Sequence, residues 1–180
     1  AKTLEQVQNY FDGRIDAIID TPGPNCSYNQ SSTVVKVGKL RIDILRQGAV
    51  AASQIQAWSS LEIVFVCTGN TCRSPMAEGI CKKYFADNLG CSIDELHDLG
   101  YKISSAGISS FSGAVASDHS ASVCRENQVS LEGHQSRPLT LDLIEKSDLI
   151  FTMSHSHWLR IVETDPLAER KCFLLDENGD

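Results

Sequence analysis

A cysteine followed by an arginine after five intervening residues marks the segment of this sequence that is best suited to chemistry. Residues 67–74 read Cys-Thr-Gly-Asn-Thr-Cys-Arg-Ser, directly after the apolar run Leu61–Val66. A thiolate at Cys67 is a nucleophile, and the planar guanidinium of Arg73 can bind two oxygens of a tetrahedral oxyanion. The pattern predicts covalent catalysis, in which Cys67 attacks phosphorus and water then hydrolyses the phosphocysteine.

The flanking residues predict the strand, loop and helix that would position this pair. The apolar run indicates a buried strand, and Pro75 fits the first turn of a helix. Gly69 permits a tight turn and Asn70 tolerates left-handed backbone angles, so successive N–H groups can point into one hole. The helix N-terminus adds unpaired N–H groups, and the anion site needs no metal and no cofactor. Ser74 could donate its hydroxyl to the thiolate. We predict that the phosphate is bound by the loop residues Thr68, Gly69, Asn70, Thr71 and Cys72.

Further motifs extend the pattern towards the end of the chain. Residues 66–78, Val-Cys-Thr-Gly-Asn-Thr-Cys-Arg-Ser-Pro-Met-Ala-Glu, resemble the signature of low-molecular-weight protein tyrosine phosphatases. The segments 104–108, 136–140 and 147–153 follow in that family's order, and the likeness starts at about Leu61. The resemblance implies Cys67 and Arg73 as catalytic residues and a phosphorylated protein as substrate. It also implies that oxidation can join Cys67 to Cys72.

Thr71 is the position that distinguishes the branches of this family. The tyrosine-specific branch usually carries a bulky aliphatic residue there, whereas the string with threonine resembles the bacterial protein arginine phosphatases. A small polar residue leaves room for a planar guanidinium and can orient the substrate or the hydrolytic water. A neutral variation of the loop is the alternative. Phe111, the one aromatic residue in 108–118, could line the pocket mouth or pack internally.

Two other possibilities remain open at this point. Arsenate reductases share this anion loop but need a cysteine relay, and the remaining candidates show no persuasive relay spacing: Cys81, Cys91, Cys124 and Cys172. The chain could also be a non-catalytic phosphate-binding fragment of a fusion protein.

The general acid that should protonate the leaving group is not evident. The resemblance implies an aspartate in an Asp-Pro pair after the last strand of the sheet. Asp165-Pro166 precedes the last predicted strand, Lys171–Leu175, and is therefore misplaced. We expect the acid to lie beyond residue 180, with Asp176 and Asp180 as weak substitutes, and turnover of ordinary substrates to be slow.

Residues 1–60 precede the phosphatase-like region 61–180. Strands are predicted at Arg14–Asp20, Thr33–Val37 and Arg41–Arg46, followed by a linker, Gln47–Ser60, that is partly helical. Strings within 12–49 resemble the closing part of threonylcarbamoyl-AMP synthase domains, with Ser32, Thr33 and Arg46 as remnants of that site. The lysine and arginine motifs of that family are missing, so no synthase activity is expected.

Composition and element order define the general class. Strands alternate with helices from residue 61, which predicts an α/β fold with a doubly wound parallel sheet, an anion-binding loop after its first strand and a small β-rich fragment in front. A net charge of −7 argues against binding nucleic acid, and no apolar run is long enough to cross a membrane. Seven cysteines without paired spacing favour a reducing compartment, hence the cytoplasm. The oligomeric state is not predicted. His119 and His134 are expected to face solvent, and His155 and His157 to be surface or helix-start residues.

Overall fold

The computed structural model describes residues 4–18, 30–38 and 41–176 of the 180-residue chain. The chain divides into two compact units, Ala1–Ile55 and Gln56–Asp180. The second unit contains the cysteine-containing loop and the motifs that follow it. Within the described ranges, no helix is both long enough and apolar enough to cross a membrane.

The first unit contains a helix and a β-hairpin. Helix α1 spans Leu4–Phe11, and the antiparallel strands β1 and β2 span Val34–Val37 and Ile42–Arg46. The two hairpin strands confirm two of the three predicted strands. The third, predicted at Arg14–Asp20, is wrong for residues 14–18, which form a turn and irregular structure. The backbone N–H of Arg14 donates to the carbonyl of Phe11 and closes a turn after α1, so the segment does not extend. Residues 19 and 20 lie outside the described ranges.

The second unit is built on a parallel sheet, as predicted. Its strands are β3 (Leu61–Cys67), β4 (Tyr101–Gly107), β5 (Leu149–Thr152) and β6 (Cys172–Leu174), in the spatial order β4-β3-β5-β6. The α-helices are α2 (Ala52–Trp58), α3 (Arg73–Leu89), α4 (Asp118–Glu126), α5 (Leu141–Lys146) and α6 (His155–Thr164). Two 3₁₀ helices span Asp94–Leu96 and Pro166–Lys171. Helix α2 lies in the predicted linker and contains the division between the two units.

Alternate residues of the central strand β3 face two separate cores. Val64 and Val66 pack with residues of α5 and α6, whereas Ile63 and Phe65 pack with residues of α3. Because successive side chains of a strand point to opposite faces, an unbroken apolar strand needs helices on both sides. The doubly wound architecture predicted from the sequence is confirmed.

The strand order places Cys67 where the sheet changes direction. From β3 the chain passes to β4 on one side and then to β5 on the other. In open α/β sheets, the crevice for ligands lies at such a switch point, beyond the carboxyl ends of the strands. Cys67 is the last residue of β3 and therefore lies at the base of this crevice.

Candidate active site

The loop after β3 curls around the sulfur of Cys67. The backbone N–H of Asn70 donates to Cys67 Sγ over 3.2 Å. This inward turn requires a left-handed backbone at Asn70, whose φ is 55°, as its residue type suggested. Cys67 is buried, with 3% of its surface exposed. The first turn of α3, which begins at Arg73, presents further N–H groups that the helix itself cannot satisfy.

The side-chain amide of Asn70 ties the loop to helix α3, to strand β4 and to the segment at Arg137. Its Nδ2 donates to Ser74 Oγ over 2.9 Å and to Ser105 Oγ over 2.8 Å. Its Oδ1 accepts from the backbone N–H of Arg137 over 2.9 Å. Ser74 Oγ lies 3.0 Å from Cys67 Sγ, which is the contact that the sequence suggested for Ser74. Asn70 and Ser74 are fully buried, so these hydrogen bonds are shielded from water.

A glycine at the end of β4 allows the loop to come this close. A Cβ built on Gly107 would lie 2.7 Å from the carbonyl oxygen of Thr68 and 3.0 Å from the backbone nitrogen of Asn70. The chain after β4 then supports the loop from outside, since Ser109 donates its backbone N–H to that same Thr68 carbonyl. Gly107, which lies in the segment 104–108 singled out in the sequence, is therefore a packing requirement of this loop.

Cys72 and Arg73 lie at the junction between the loop and α3, and both are exposed. The Cys72 thiol donates to Ser117 Oγ over 3.3 Å and lies 3.7 Å from Thr71 Oγ1. The hydroxyls of Ser117 and, secondly, Thr71 can donate to the sulfur once it is ionised, which lowers the pKa of Cys72 below its usual value. Cys72 is consequently an accessible thiol of raised reactivity beside the buried one.

His157 contacts the loop; it lies in the first turn of α6, which is one of the two positions predicted for it, but it is not at the surface. Only 6% of its surface is exposed, its Nε2 lies 2.9 Å from Thr68 Oγ1 and its Nδ1 lies 2.8 Å from Ser154 Oγ. Burial, and secondly the positive charge of Arg73, lowers the pKa of His157 below its usual value. A contact across 89 residues leaves no signal in local sequence spacing, so sequence analysis could not detect it.

Of the other three histidines with a predicted position, two are exposed and one is partly buried. His119 and His155 are exposed, as expected. His134 is partly buried, and its Nε2 lies 2.8 Å from the backbone carbonyl of Asn70. Because a carbonyl only accepts, this nitrogen carries the proton. Its predicted solvent-facing position is right only in part, because the ring is half-buried and holds the loop through this hydrogen bond.

The two candidate aspartates that the structure describes lie at opposite ends of the sheet. Asp165 follows α6, which runs back from the carboxyl edge, and its side chain accepts from the N–H of Leu167 at the start of a 3₁₀ helix. It therefore lies at the end away from Cys67. Asp176 comes after β6, which is parallel to β5, so it lies at the same edge as Cys67. Asp180 lies outside the described residues.

Three of the four cysteines considered for a relay, Cys81, Cys124 and Cys172, are poorly suited to it. Burial raises the pKa of Cys81 and of Cys172 to about 11, and it also raises the pKa of Cys124. Such thiols are protonated and slow to attack at neutral pH. In the described part of the chain, no group of three or more His, Cys, Asp or Glu residues could hold a metal ion.

The fold and the loop together identify the class of protein. A buried cysteine at the base of a loop of backbone donors, with an arginine closing that loop on a doubly wound sheet, is the arrangement of a cysteine-dependent phosphatase. A comparison of the sequence with family models agrees. The chain belongs to the low molecular weight phosphotyrosine protein phosphatase family, whose model matches residues 62–178.

Individual relatives include enzymes of two specificities. The chain is 38% identical over 117 residues to a protein-arginine-phosphatase of Bacillus subtilis, covering 65% of this chain and 71% of the relative. It is 36% identical over 112 residues to the low molecular weight protein-tyrosine-phosphatase Wzb of Escherichia coli, covering 62% and 67%. Among solved structures, a mutant of YwlE arginine phosphatase with a phosphorylated active-site serine is similar, with a TM-score of 0.55, 36% identity and coverage of 65% and 70%.

Proposed function

We propose that this protein hydrolyses phosphoarginine in protein substrates through a phosphocysteine on Cys67. The thiolate attacks phosphorus, the bond from phosphorus to the guanidine nitrogen breaks, and the leaving nitrogen takes up a proton. The loop N–H groups and Arg73 bind the equatorial oxygens, and the Ser74 hydroxyl stabilises the sulfur. Water then cleaves the sulfur–phosphorus bond and releases phosphate.

Thr71 is the observation that carries the choice of phosphoarginine. Its hydroxyl lies over the loop, 3.7 Å from the position of a Cβ built on Gly69. Its backbone carbonyl accepts from the N–H of Ser117, which keeps the residue in place at the loop rim. A hydroxyl there can bind a polar, planar guanidinium, whereas a branched aliphatic side chain would favour an aromatic ring. The 38% identity with a protein-arginine-phosphatase supports this proposal.

Phosphotyrosine is the alternative substrate. The 36% identity with Wzb is nearly as high as that with the arginine phosphatase, so overall similarity does not separate the two. Phe111 is 91% exposed. It lies in the segment 108–118, and backbone N–H groups near the start and the end of that segment donate to carbonyls of the anion loop. An exposed ring beside an anion site could stack on a tyrosine ring.

The deciding experiment measures phosphate release from a phosphoarginine peptide and a phosphotyrosine peptide of otherwise identical sequence. Cys67→Ser is the blank, and Thr71→Ile is the test variant. We expect faster release from phosphoarginine, and about a tenfold or larger loss of that preference in Thr71→Ile. A preference for phosphotyrosine that Thr71→Ile leaves unchanged would contradict the proposal.

We further propose that the proton for the leaving group comes from an acid in the segment after β6, and Asp176 is the candidate that the structure describes. The test measures the rate of Asp176→Asn, relative to the native protein, on two substrates. One is a phosphopeptide, and the other is p-nitrophenyl phosphate, whose leaving group needs little protonation. If Asp176 is the acid, the variant loses about a hundredfold on the peptide and much less on the aryl ester. Equal rates for variant and native protein would exclude Asp176.

For residues 1–60 we propose a non-catalytic role, as the remnant of a threonylcarbamoyl-AMP synthase domain. The Thr33 hydroxyl donates to the carbonyl of Val50 over 2.6 Å and accepts from the backbone N–H of Gly48. Arg46 Nη2 donates to the carbonyl of Ser32 over 3.0 Å. These polar groups stabilise the segment itself, which supports a structural role. An assay for threonylcarbamoyl-AMP formation from ATP, threonine and bicarbonate should give no product, and measurable product would refute the proposal.

A further inference from the structure

We propose that Glu78, on α3, is a positioning residue whose carboxylate anchors the far end of a hydrogen-bond chain that ends on the nucleophilic sulfur. The side chains that form the chain, in order, are those of Glu78, Ser105, Asn70, Ser74 and Cys67. The inference rests on the proposed role of Cys67 as nucleophile. It concerns the state of the thiol and not the choice of substrate.

Asn70, in the middle of the hydrogen-bond chain, is oriented by the backbone N–H of Arg137. The N–H of Arg137 can only donate, and the Asn70 side-chain atom that faces it at 2.9 Å must be the oxygen. The amide nitrogen of Asn70 therefore faces the other way. It donates one hydrogen to Ser74 Oγ and the other to Ser105 Oγ.

At the far end of the hydrogen-bond chain, Glu78 orients the Ser105 hydroxyl. Ser105 Oγ lies 2.6 Å from Glu78 Oε2, and an ionised carboxylate only accepts. The Ser105 hydrogen therefore points to Glu78, and its oxygen is free to accept from Asn70. Without this acceptor the Ser105 hydroxyl is free to rotate, and the oxygen that accepts from Asn70 is no longer held in a fixed orientation.

At the near end of the hydrogen-bond chain, the direction of the contact between Ser74 and Cys67 can be derived in the same way. Ser74 Oγ accepts from Asn70, so its own hydrogen is available for Cys67 Sγ at 3.0 Å. A hydroxyl that donates to sulfur stabilises the thiolate over the thiol. Glu78 thus acts on Cys67 through three intervening side chains, none of which changes its charge.

The surroundings of Glu78 hold its carboxylate in this orientation. Lys82 Nζ lies 2.6 Å from Oε1, one helical turn away, which leaves Oε2 for Ser105. The Glu78 side chain is only 17% exposed. It lines a cavity of about 530 Å³ that also includes His134, Arg137 and Glu132, the other charged or titratable groups that face it.

Glu78→Gln is the sharpest test because Lys82 determines how the new amide must lie. The ammonium group attracts the amide oxygen, so the NH₂ group turns towards Ser105 and reverses that end of the chain. The readout is the rate at which iodoacetamide alkylates Cys67 in the full chain, followed by mass spectrometry of the Cys67 peptide. At about pH 7 we expect the rate to fall about tenfold, and at about pH 10, where thiols are ionised, to be unchanged.

Two further variants provide controls. Glu163→Gln makes the same change of charge at an exposed position on α6, where the carboxylate pairs with Arg160, and should leave alkylation unchanged. Lys82→Met, added to Glu78→Gln, frees the amide to turn its oxygen towards Ser105 and should restore much of the rate. A purely structural role for Glu78 would give no such rescue.

Ser105→Ala breaks the same chain at another point and serves as the test if Glu78→Gln does not fold. Because both residues act through one chain, the double variant should be no slower than the slower single variant. The proposal is overturned if Glu78→Gln folds normally and alkylates at the native rate at about pH 7, or if the two effects multiply. Failure of the phosphate-release assay with these alkylation results intact would instead contradict the proposed function.

Discussion

Asn70 provides the most demanding prediction because one side chain makes three buried hydrogen bonds from a left-handed backbone. In Asn70→Ala the three hydrogen bonds are lost, and each contributes about 1 kcal/mol to the free energy of unfolding. Alanine in a left-handed conformation costs about 1–2 kcal/mol more. The variant should therefore be destabilised by about 4 kcal/mol, a large share of the stability of a small domain.

Two companion variants separate these contributions. Asn70→Gly removes the side chain but tolerates φ of 55°, so it should be about 1 kcal/mol more stable than Asn70→Ala. Asn70→Asp keeps an acceptor for the N–H of Arg137 but cannot donate to Ser74 or Ser105. It should retain part of the stability while slowing alkylation of Cys67, because the Ser74 hydrogen no longer has a fixed direction.

The assay is urea unfolding of each variant, monitored by fluorescence. The free energies of unfolding are compared with one shared m-value, the slope of that free energy against urea concentration. A loss below about 1 kcal/mol in Asn70→Ala would mean that the amide does not hold the loop to β4 and to the segment at Arg137. Equal stability of Asn70→Ala and Asn70→Gly would refute the left-handed backbone as a source of strain.

Three further predictions concern other parts of the same unit. In Gly107→Ala the new Cβ would lie 2.7 Å from a loop carbonyl oxygen, so phosphate binding measured by calorimetry should weaken severely while far-UV circular dichroism stays native-like. The lowered pKa of His157 means that stability is full above its usual titration range and is lost as pH falls through the lowered value, because the unfolded chain protonates first. His157→Gln should therefore flatten the fall in melting temperature between about pH 7.5 and about pH 5. Iodoacetamide at about pH 8 should label Cys72 well before Cys81 and Cys172, whose pKa of about 11 keeps them protonated, and equal labelling would contradict their burial.

Local sequence patterns were sufficient for the sheet and the anion loop. The apolar run before Cys67 and the alternation of strands with helices predicted a parallel sheet, because continuous apolar strands must be covered on both faces. The turn of the loop was predictable because Asn70 tolerates the left-handed backbone that it adopts, whereas Gly69 does not have a positive φ. The strand predicted at 14–18 failed because a strand also needs a neighbour for its backbone groups, and local composition does not say whether one exists.

The sequence by itself was enough to predict the chemistry proposed for this protein: a cysteine nucleophile, an arginine and a loop that binds an oxyanion, all within eight residues. The support for that chemistry was decided only by the tertiary structure. His157 and Arg137 reach the loop from elements that are 89 and 67 residues away in the chain. Their contacts depend on how strands and helices pack, and packing is a property of the whole fold that no local spacing records.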